Sequence, residues 1–343
     1  MTVTVGQLDA PMMERWDAYV NAAPGATFFH RAGWKTVLER AFGHSTFFLY
    51  AEDAGEIVGV LPLAQINSVL FGNTLASLPF CVYGGIVADN DTVATTLREE
   101  ACRLAQQLKV DALELRNMTP SNADWPVKEL YYTFRKAIDP CDDVNLKAIP
   151  NRQRAMVRKG LKEGLSSEWD AGVERLYRVY SESVRNLGTP VFSVKYLRIL
   201  RQVFGDDCSV LMIKHQEKDV AAVMSFYFRD EVIPYYGGST SEARTIKGVN
   251  HVMYWELMRY SAGQGYRLFD FGRSKAGTGP YSFKKNFGFE PQPLPYEYYL
   301  VKSTSVPDVN PLNPKYQLMI NVWSKLPLPV ANFMGPFLAR SLG

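Results

Sequence analysis

Cysteine and histidine are both scarce in this chain, with four of each in 343 residues. Cys81, Cys102, Cys141 and Cys208 form no C-x-x-C pair. A disulfide scaffold of this length would use more, so a reducing compartment is expected. His30, His44, His215 and His251 show no H-x-x-x-H spacing, which leaves a zinc site without support. No uncharged apolar run reaches the roughly 18–20 residues that span a bilayer. The opening MTVTVGQLDAPMMERWDAYV lacks a basic stretch followed by an apolar one. No signal peptide is therefore expected, and the chain is placed in the cytoplasm. A strong charge of one sign is missing too. Lys and Arg number 38 against 35 Asp and Glu, a net +3 that excludes wholesale wrapping of nucleic acid and gives no reason to expect a specific DNA partner. No Ser-His-Asp or Cys-His nucleophile stands out, so direct attack on an activated acyl group fits better than a covalent enzyme intermediate.

Hydrophobic residues make up 47% and charged residues 21%, the balance of a globular protein with room for about two domains. Two short amphipathic helices are expected over 11–22 and 30–42, with the strands beginning at Thr46. FFLYAED and IVGVLPLAQI flank the turn Asp53-Ala54-Gly55-Glu56 and read as a hairpin. NTLASLPF and a run ending Tyr83-Gly84-Gly85 follow, then a helix over 91–108 capped by Asp91, then the strands DALELRN and YYTFRKAID. The same order returns later. SVLMIKH and VAAVMSFYF flank Gln216-Glu217-Lys218-Asp219, EVIPYYGG ends in Tyr236-Gly237-Gly238, a helix runs from about Val249 to Ala262, and YRLFDFGRS matches DALELRNM. Glu114 and Asp270 fall at equivalent places. An internal duplication is the economical explanation. The expected divisions are 1–145, 146–305 and a Pro-rich apolar tail, 306–343. Pro327, Pro329 and Pro336 keep that tail from being one long helix, and it packs on the core or lies on a membrane or partner.

The segment 266–290, YRLFDFGRSKAGTGPYSFKKNFGFE, is the most specific stretch. A buried strand runs into a glycine-rich, basic loop and then a short helix with two lysines. Backbone N–H groups ahead of a helix attract anions, and glycine lets a ligand approach. Arg273, Lys275, Lys284 and Lys285 add positive charge, which suits a carboxylate, a phosphate or a developing oxyanion. Asp270-Phe271-Gly272 is not read as a kinase magnesium motif, because no G-x-G-x-x-G or H-R-D precedes it. Ahead of the second hairpin, Pro150 opens a helix carrying Arg152, Arg154, Arg158, Lys159 and Lys162. It is either a solvated face or a contact for a polyanion such as tRNA or a nucleotide diphosphate. Two further helices are expected over 170–204, broken at Gly188-Thr189-Pro190. Trp34 and Tyr83 are read as core or groove lining.

Together these residues resemble the Fem-type aminoacyltransferases, which are tandem GNAT-fold proteins. The resemblance is closest to FemAB-related proteins that accompany PEP-CTERM/exosortase and exopolysaccharide loci. It rests on Thr27-Phe28-Phe29-His30 with Trp34, Ile57 to Leu63, Tyr83-Gly84-Gly85, the Arg152-to-Gly160 helix, and Gly248-Val249-Asn250 with Trp255. Its most specific parts are Asp270 to Ser274 and Phe283-Lys284-Lys285-Asn286-Phe287-Gly288. It implies an α/β (α+β) fold of tandem GNAT-like domains with mixed, mostly antiparallel sheets and a substrate groove. It also implies transfer of an aminoacyl or acyl group to an amine on a small-molecule or lipid-linked envelope precursor, at the inner face of the membrane. By resemblance, Lys284 of the F-K motif stabilises the transition state. With the clustering around it, this makes Arg273, Ser274, Lys275, Gly277, Phe283, Tyr236, Trp34 and Tyr83 the substrate-binding candidates. Tyr281 is the candidate proton donor, and Asp270 either orients Arg273 or accepts a proton. The donor is aminoacyl-tRNA or acyl-CoA, with no tightly bound cofactor and no metal. In GNAT acetyltransferases an R/Q-x-x-G-x-G/A loop holds the coenzyme A pyrophosphate. Here only part of that pattern survives, with Thr245 three residues before Gly248 and Asn250 two after it, and Lys247, Gly248 and Asn250 join Arg152, Arg154 and Arg158 as donor-binding candidates. The long coiled-coil arm of the well-studied Fem enzymes is missing. Two other readings stay open: an acyl-CoA- or acyl-carrier-dependent N-acyltransferase, and a noncatalytic scaffold of envelope assembly docked through the tail.

Overall fold

The protein is described from a computed structural model, over residues 3–68, 71–121, 124–306 and 314–342. Numbered along the chain, its first elements are β1 (Thr4–Gln7), α1 (Met13–Ala22), α2 (Gly33–Phe42), β2 (Ser45–Asp53), β3 (Glu56–Ser68), β4 (Gly72–Ser77), β5 (Val87–Ala88), α3 (Asp91–Gln107), β6 (Ala112–Arg116) and β7 (Val127–Ala137). Then come α4 (Asp142–Ala148), α5 (Asn151–Lys162), β8 (Ser166–Asp170), α6 (Glu174–Asn186), α7 (Val194–Phe204), β9 (Cys208–His215), β10 (Lys218–Phe228) and β11 (Glu231–Ser239). The chain finishes with α8 (Val249–Gly263), β12 (Leu268–Asp270), β13 (Ser274–Lys275), α9 (Gly279–Asn286), β14 (Pro291–Leu300), α10 (Pro314–Trp323) and α11 (Leu328–Ala339).

The chain forms two compact units. The first is Met1–Tyr131 with Pro293–Asp308 and Arg340–Gly343, and the second is Tyr132–Gln292 with Val309–Ala339. The boundary expected at 145/146 lies inside α4, and part of the expected tail, 307–313, lies outside the described residues. Within the first unit the strand order is β1-β2-β3-β4-β6-β14, with β4–β6 parallel and the other neighbours antiparallel. Within the second the order is β8-β9-β10-β11-β12-β7, again with one parallel pair, β11–β12. The two orders are the same strand for strand. Both are mixed and mostly antiparallel, as the resemblance implies.

The match extends to the turns. β2–β3 and β9–β10 are hairpins with two-residue loops, Ala54-Gly55 and Gln216-Glu217, and all four loop residues have positive φ. That is the primed-turn geometry whose twist agrees with the strands it joins. At Gln216 and Glu217 it holds non-glycine residues in a left-handed conformation, which costs about 1–2 kcal/mol per residue and which the long ladder outweighs. In each unit the parallel pair is connected by a helix, α3 or α8. Leu97, Ala101 and Ala105 put the buried stripe of α3 against the first sheet, with Leu49, Leu61 and Leu113 in the same core. Around α8, Val252, Met253 and Leu257 join Val223, Val232 and Phe269 in the second core.

Three expectations are corrected. The strands begin at Thr4 and not at Thr46, because the short polar β1 pairs with the edge of β2 and carries no periodic apolar signal. The cap of α3 is Asn90, whose extended backbone lets its Oδ1 accept the Val93 N–H at 3.0 Å, while Asp91 is already helical. The Tyr-Gly-Gly echo is not an echo in space. Gly237 and Gly238 lie in β11, but Tyr83-Gly84-Gly85 is loop, where Gly84 has φ 141° and Gly85 sits against Asn117. The equivalent of β11 is β4.

The sixth strand of each sheet comes from an unexpected part of the chain. β7 follows β6 in sequence, yet from Tyr132 onward it belongs to the second unit, where it pairs with β12. β14 follows α9, yet from Pro293 onward it belongs to the first unit, where it pairs with β6. β14 delivers Glu297, only 1% exposed, to accept hydrogen bonds from Asn117 Nδ2 and from the Ser121 N–H at 2.9 Å. A chain truncated after Glu290 therefore loses a core strand of the first unit while keeping all of residues 1–131. Limited proteolysis with mass spectrometry should find new cleavage within 1–131. A first unit that stays resistant would refute this topology.

Candidate active site

The loop after β12 is organised by one buried carboxylate. Asp270 has no exposed surface; its Oδ1 accepts from the Gly272 N–H at 2.6 Å and from Thr133 Oγ1 at 3.1 Å. Its Oδ2 lies 3.3 Å from Arg135 Nε, close enough for a charge interaction. Arg135 also donates from Nη2 to Glu231 Oε2 at 2.6 Å. Thr133 and Arg135 stand on β7 and Glu231 opens β11, so the two strands beside β12 surround Asp270 with partners. Burial, and then the nearby negative charge of Asp270, raise the Glu231 carboxyl to about 8, with Arg135 pulling the other way.

The same loop holds Lys284. With Asp270 fixing the Gly272 amide, the Gly272 carbonyl accepts from Lys284 Nζ at 2.9 Å and the Arg273 carbonyl accepts at 3.1 Å. Nζ also lies 5.6 Å from the centre of the Phe134 ring. An ammonium has three protons, so these two carbonyls leave a third donor position. The lysine is 8% exposed, and that burial lowers its pKa to about 7, with Asp270 opposing the shift and Arg273 adding to it. The helix bearing it, α9, starts at Thr278, whose side chain caps the Tyr281 N–H, and has Pro280 in its first turn. Gly277 has φ 75° with open space where a Cβ would stand, so the turn itself requires the glycine.

The other candidates fall into three places. Arg273, Ser274, Lys275, Gly277, Tyr281 and Phe283 lie with Asp270 and Lys284 on the β12–α9 segment. Ser274 is 6% exposed, and its Oγ has no hydrogen-bond partner among the described residues. Tyr281 packs edge-on against Tyr132 and Phe134, at 5.5 and 5.3 Å between centroids. Phe283 stacks on Phe287 and meets His251 and Tyr254 of α8, which makes it the contact that seats α9. Arg152, Arg158, Lys247 and Asn250 are exposed and Arg154 is half-buried, all on α5 or at the start of α8. Gly248 has φ 81°, and a Cβ there would come within 2.3 Å of the Met156 carbonyl of α5. Its lack of a side chain is what lets α5 cross the N-terminus of α8, and Gly160, facing Val252, serves the same contact. His251 bridges the pair through Gln153 at 2.7 Å.

Tyr236, Trp34 and Tyr83 lie outside the β12–α9 segment of the chain. Tyr236 is buried in an aromatic layer with Tyr180, Phe192 and Tyr196, and its hydroxyl lies 2.6 Å from that of Tyr196. Trp34 and Tyr83 are wholly buried in the first unit around Phe29, so they are packing residues there and offer a ligand no surface. Sequence reasoning missed Thr133, Arg135 and Glu231. Their partner Asp270 is 135 or more residues away from β7, and no local spacing marks such a pairing.

Residues 151–285 match the family model of the acetyltransferase (GNAT) domain. No curated protein matches the chain. Among solved structures the chain is similar to FemX, at 16% identity over 92% of this chain and all of that one, with a TM-score of 0.69. It is similar to the C-terminal domain of a putative lysylphosphatidylglycerol synthetase from Agrobacterium fabrum, at 13% identity over 85% and 92%, TM-score 0.57. It is also similar to a tandem GNAT protein from the clavulanic acid biosynthesis pathway, at 12% identity over 89% and 100%, TM-score 0.55.

The buried amine sets a pH dependence. Unfolded, a lysine keeps its proton up to about pH 10.5, whereas Lys284 releases it near 7. Between those values the unfolded chain binds the extra proton, so the group's contribution to stability rises with pH and its penalty is full below about pH 7. Lys284→Met abolishes that slope. Measured by urea denaturation, the stability of the variant relative to the unmodified protein should fall from about pH 6 to about pH 10, by about 1 kcal/mol or more per pH unit at the steepest. A difference independent of pH would refute the shift. Residues 151–285 match the acetyltransferase (GNAT) domain and the chain has a tandem GNAT-like fold, which together support an acyltransferase.

Proposed function

We propose that the protein moves an aminoacyl or acyl group from an activated ester or thioester to an amine on a cell-envelope precursor, by direct attack. The observation that carries this is the Lys284 side chain, which in its protonated form keeps a third N–H beyond the two that the Gly272 and Arg273 carbonyls accept. An attacking amine turns the acyl carbonyl into a tetrahedral oxyanion, and a pre-oriented N–H in a dry site stabilises it without reorganisation. The amine then loses a proton and the leaving oxygen or sulfur gains one. Tyr281 is the proposed donor to the leaving group, and Arg273 with the Gly277 turn is the proposed anion contact. Asp270 acts as a positioning residue: its oxygens are occupied by Gly272, Thr133 and Arg135, which suits holding the loop better than accepting a proton.

The likeness to FemX and to a putative lysylphosphatidylglycerol synthetase supports aminoacyl transfer and a lipid-linked acceptor. The envelope precursor, whether of peptidoglycan or exopolysaccharide, rests on the sequence resemblance. For the donor, α5 packs its backbone onto the loop before α8 and presents Arg152, Arg158, Lys159 and Lys162 beside Lys247. That supports a polyanion such as aminoacyl-tRNA over coenzyme A. The competing acyl-CoA reading is favoured by the GNAT domain match and by the helix N-terminus at Gly248.

Lys284→Met should lower kcat by about 10²–10³-fold with a donor and acceptor in hand while circular dichroism stays unchanged. Full turnover in the folded variant would remove the lysine from the mechanism. For the donor, a tRNA contact predicts binding that weakens steeply with salt, and the R152E/R158E pair should flatten the log–log slope by about 2. A thermal shift with acetyl-CoA, joined to salt-independent or absent tRNA binding, would instead establish the acyl-CoA reading.

A further inference from the structure

Seven of the thirteen large apolar side chains that stand exposed among the described residues lie within 319–342: Met319, Val322, Val330, Phe333, Met334, Phe337 and Leu342. Four of them are ordered on one surface. Val330, Phe333, Met334 and Phe337 follow the i, i+3, i+4, i+7 spacing that puts side chains on one face of α11, and the Phe333 and Phe337 rings touch at 5.9 Å between centroids. Phe333 is 75% exposed and Phe337 is 65% exposed.

The helix is not simply loose. Its opposite face, Ala331, Gly335 and Ala339, is buried. A Cβ on Gly335 would stand 2.8 Å from the Val191 carbonyl, so that face lies directly on the backbone after α6. Asn332 Nδ2 donates to Ser181 Oγ at 3.3 Å, and Arg185 Nη1 donates to the Ser324 carbonyl at 3.3 Å just before the helix. Small residues point inward and large ones outward, the reverse of a helix that completes a core. Along this stretch of chain the charge has one sign. After Asp308 the chain holds no Asp or Glu, whereas Lys325 and Arg340 flank α11 and both are exposed. An aromatic face flanked along the chain by cations, on a segment that carries no acid of its own, is complementary to an apolar layer carrying negative charge.

We infer that α11 is a membrane-surface helix that meets anionic lipid through Val330, Phe333, Met334 and Phe337, with Lys325 and Arg340, the cations flanking it along the chain, at the headgroups. The helix is too short to span a bilayer, so it lies in the interface. This stands apart from the acyl-transfer reading, since it uses no residue between 270 and 288.

The test is sedimentation of the full chain with phosphatidylcholine vesicles, with and without phosphatidylglycerol. The unmodified protein should bind the phosphatidylglycerol vesicles and lose most of that binding at high salt. F333S/F337S should weaken it about tenfold or more, given two lost apolar anchors, with an unchanged thermal melt because neither side chain packs on the fold. K325E/R340E should reduce binding to phosphatidylglycerol vesicles alone. No binding by the unmodified protein, or equal binding by F333S/F337S, overturns the inference. A dimer in solution that F333S/F337S converts to monomer also overturns it, by showing that a second copy covers the face.

Discussion

A lysine amine taken out of water loses several kcal/mol of hydration unless other groups replace it, and the second unit is built around that demand. Lys284 meets it with two backbone carbonyls, and those carbonyls are presented by a loop that cannot be straight. Asp270 bends the loop by accepting the Gly272 amide. Asp270 is itself a buried charge, and Arg135 and Thr133 stabilise it from the neighbouring strand. The order β7–β12–β11 is therefore part of the site as much as of the fold. Take away β7 and the carboxylate is stranded, the loop loses its bend, and the amine loses its acceptors.

The duplication explains why β7 is available for this. Each unit repeats the same six-stranded order, and each takes its sixth strand from the stretch of chain that follows the other unit's fifth. One copy adds to this frame α5 across the start of α8 and α9 after the fifth strand, the elements that carry the candidate site. The other used the corresponding place for packing. There Arg116 is buried, pairs with Glu114 at 2.8 Å and donates to the Leu78 and Cys81 carbonyls. Both copies thus set a carboxylate–guanidinium pair beside the parallel strands, with the guanidinium buried in the first and the carboxylate in the second. Among the described residues only the second sets a buried lysine beside it.

Glycine at 248 shows how a motif can be right in place and different in cause. A glycine before a helix in a GNAT fold invites a pyrophosphate reading. Here its missing side chain makes room for the Met156 carbonyl, and the left-handed φ lets the chain turn into α8 under α5. That contact sets α5, the helix bearing the arginines and lysines, against the backbone at Lys247. Nothing in their own spacing says so.

What was legible in the sequence was whatever depends on neighbours along the chain. The hairpins, α3, α5, α8, α9, the break between α6 and α7 and the glycine-rich loop are all written in periodicities, turn residues and breakers acting within a few residues. So was the clustering of Asp270, Arg273, Tyr281 and Lys284, since one loop and one short helix carry all four. The resemblance to Fem-type proteins added the fold. Tertiary structure alone decided the rest. It joined Arg135, Thr133 and Glu231 to Asp270 in one network, buried Tyr236, Trp34 and Tyr83 among other side chains, and placed most of β7 in the second unit and most of β14 in the first. It also set the apolar face of α11 outward. Burial and strand pairing join residues more than a hundred positions apart, and a sequence records the partners of such contacts without recording that they meet.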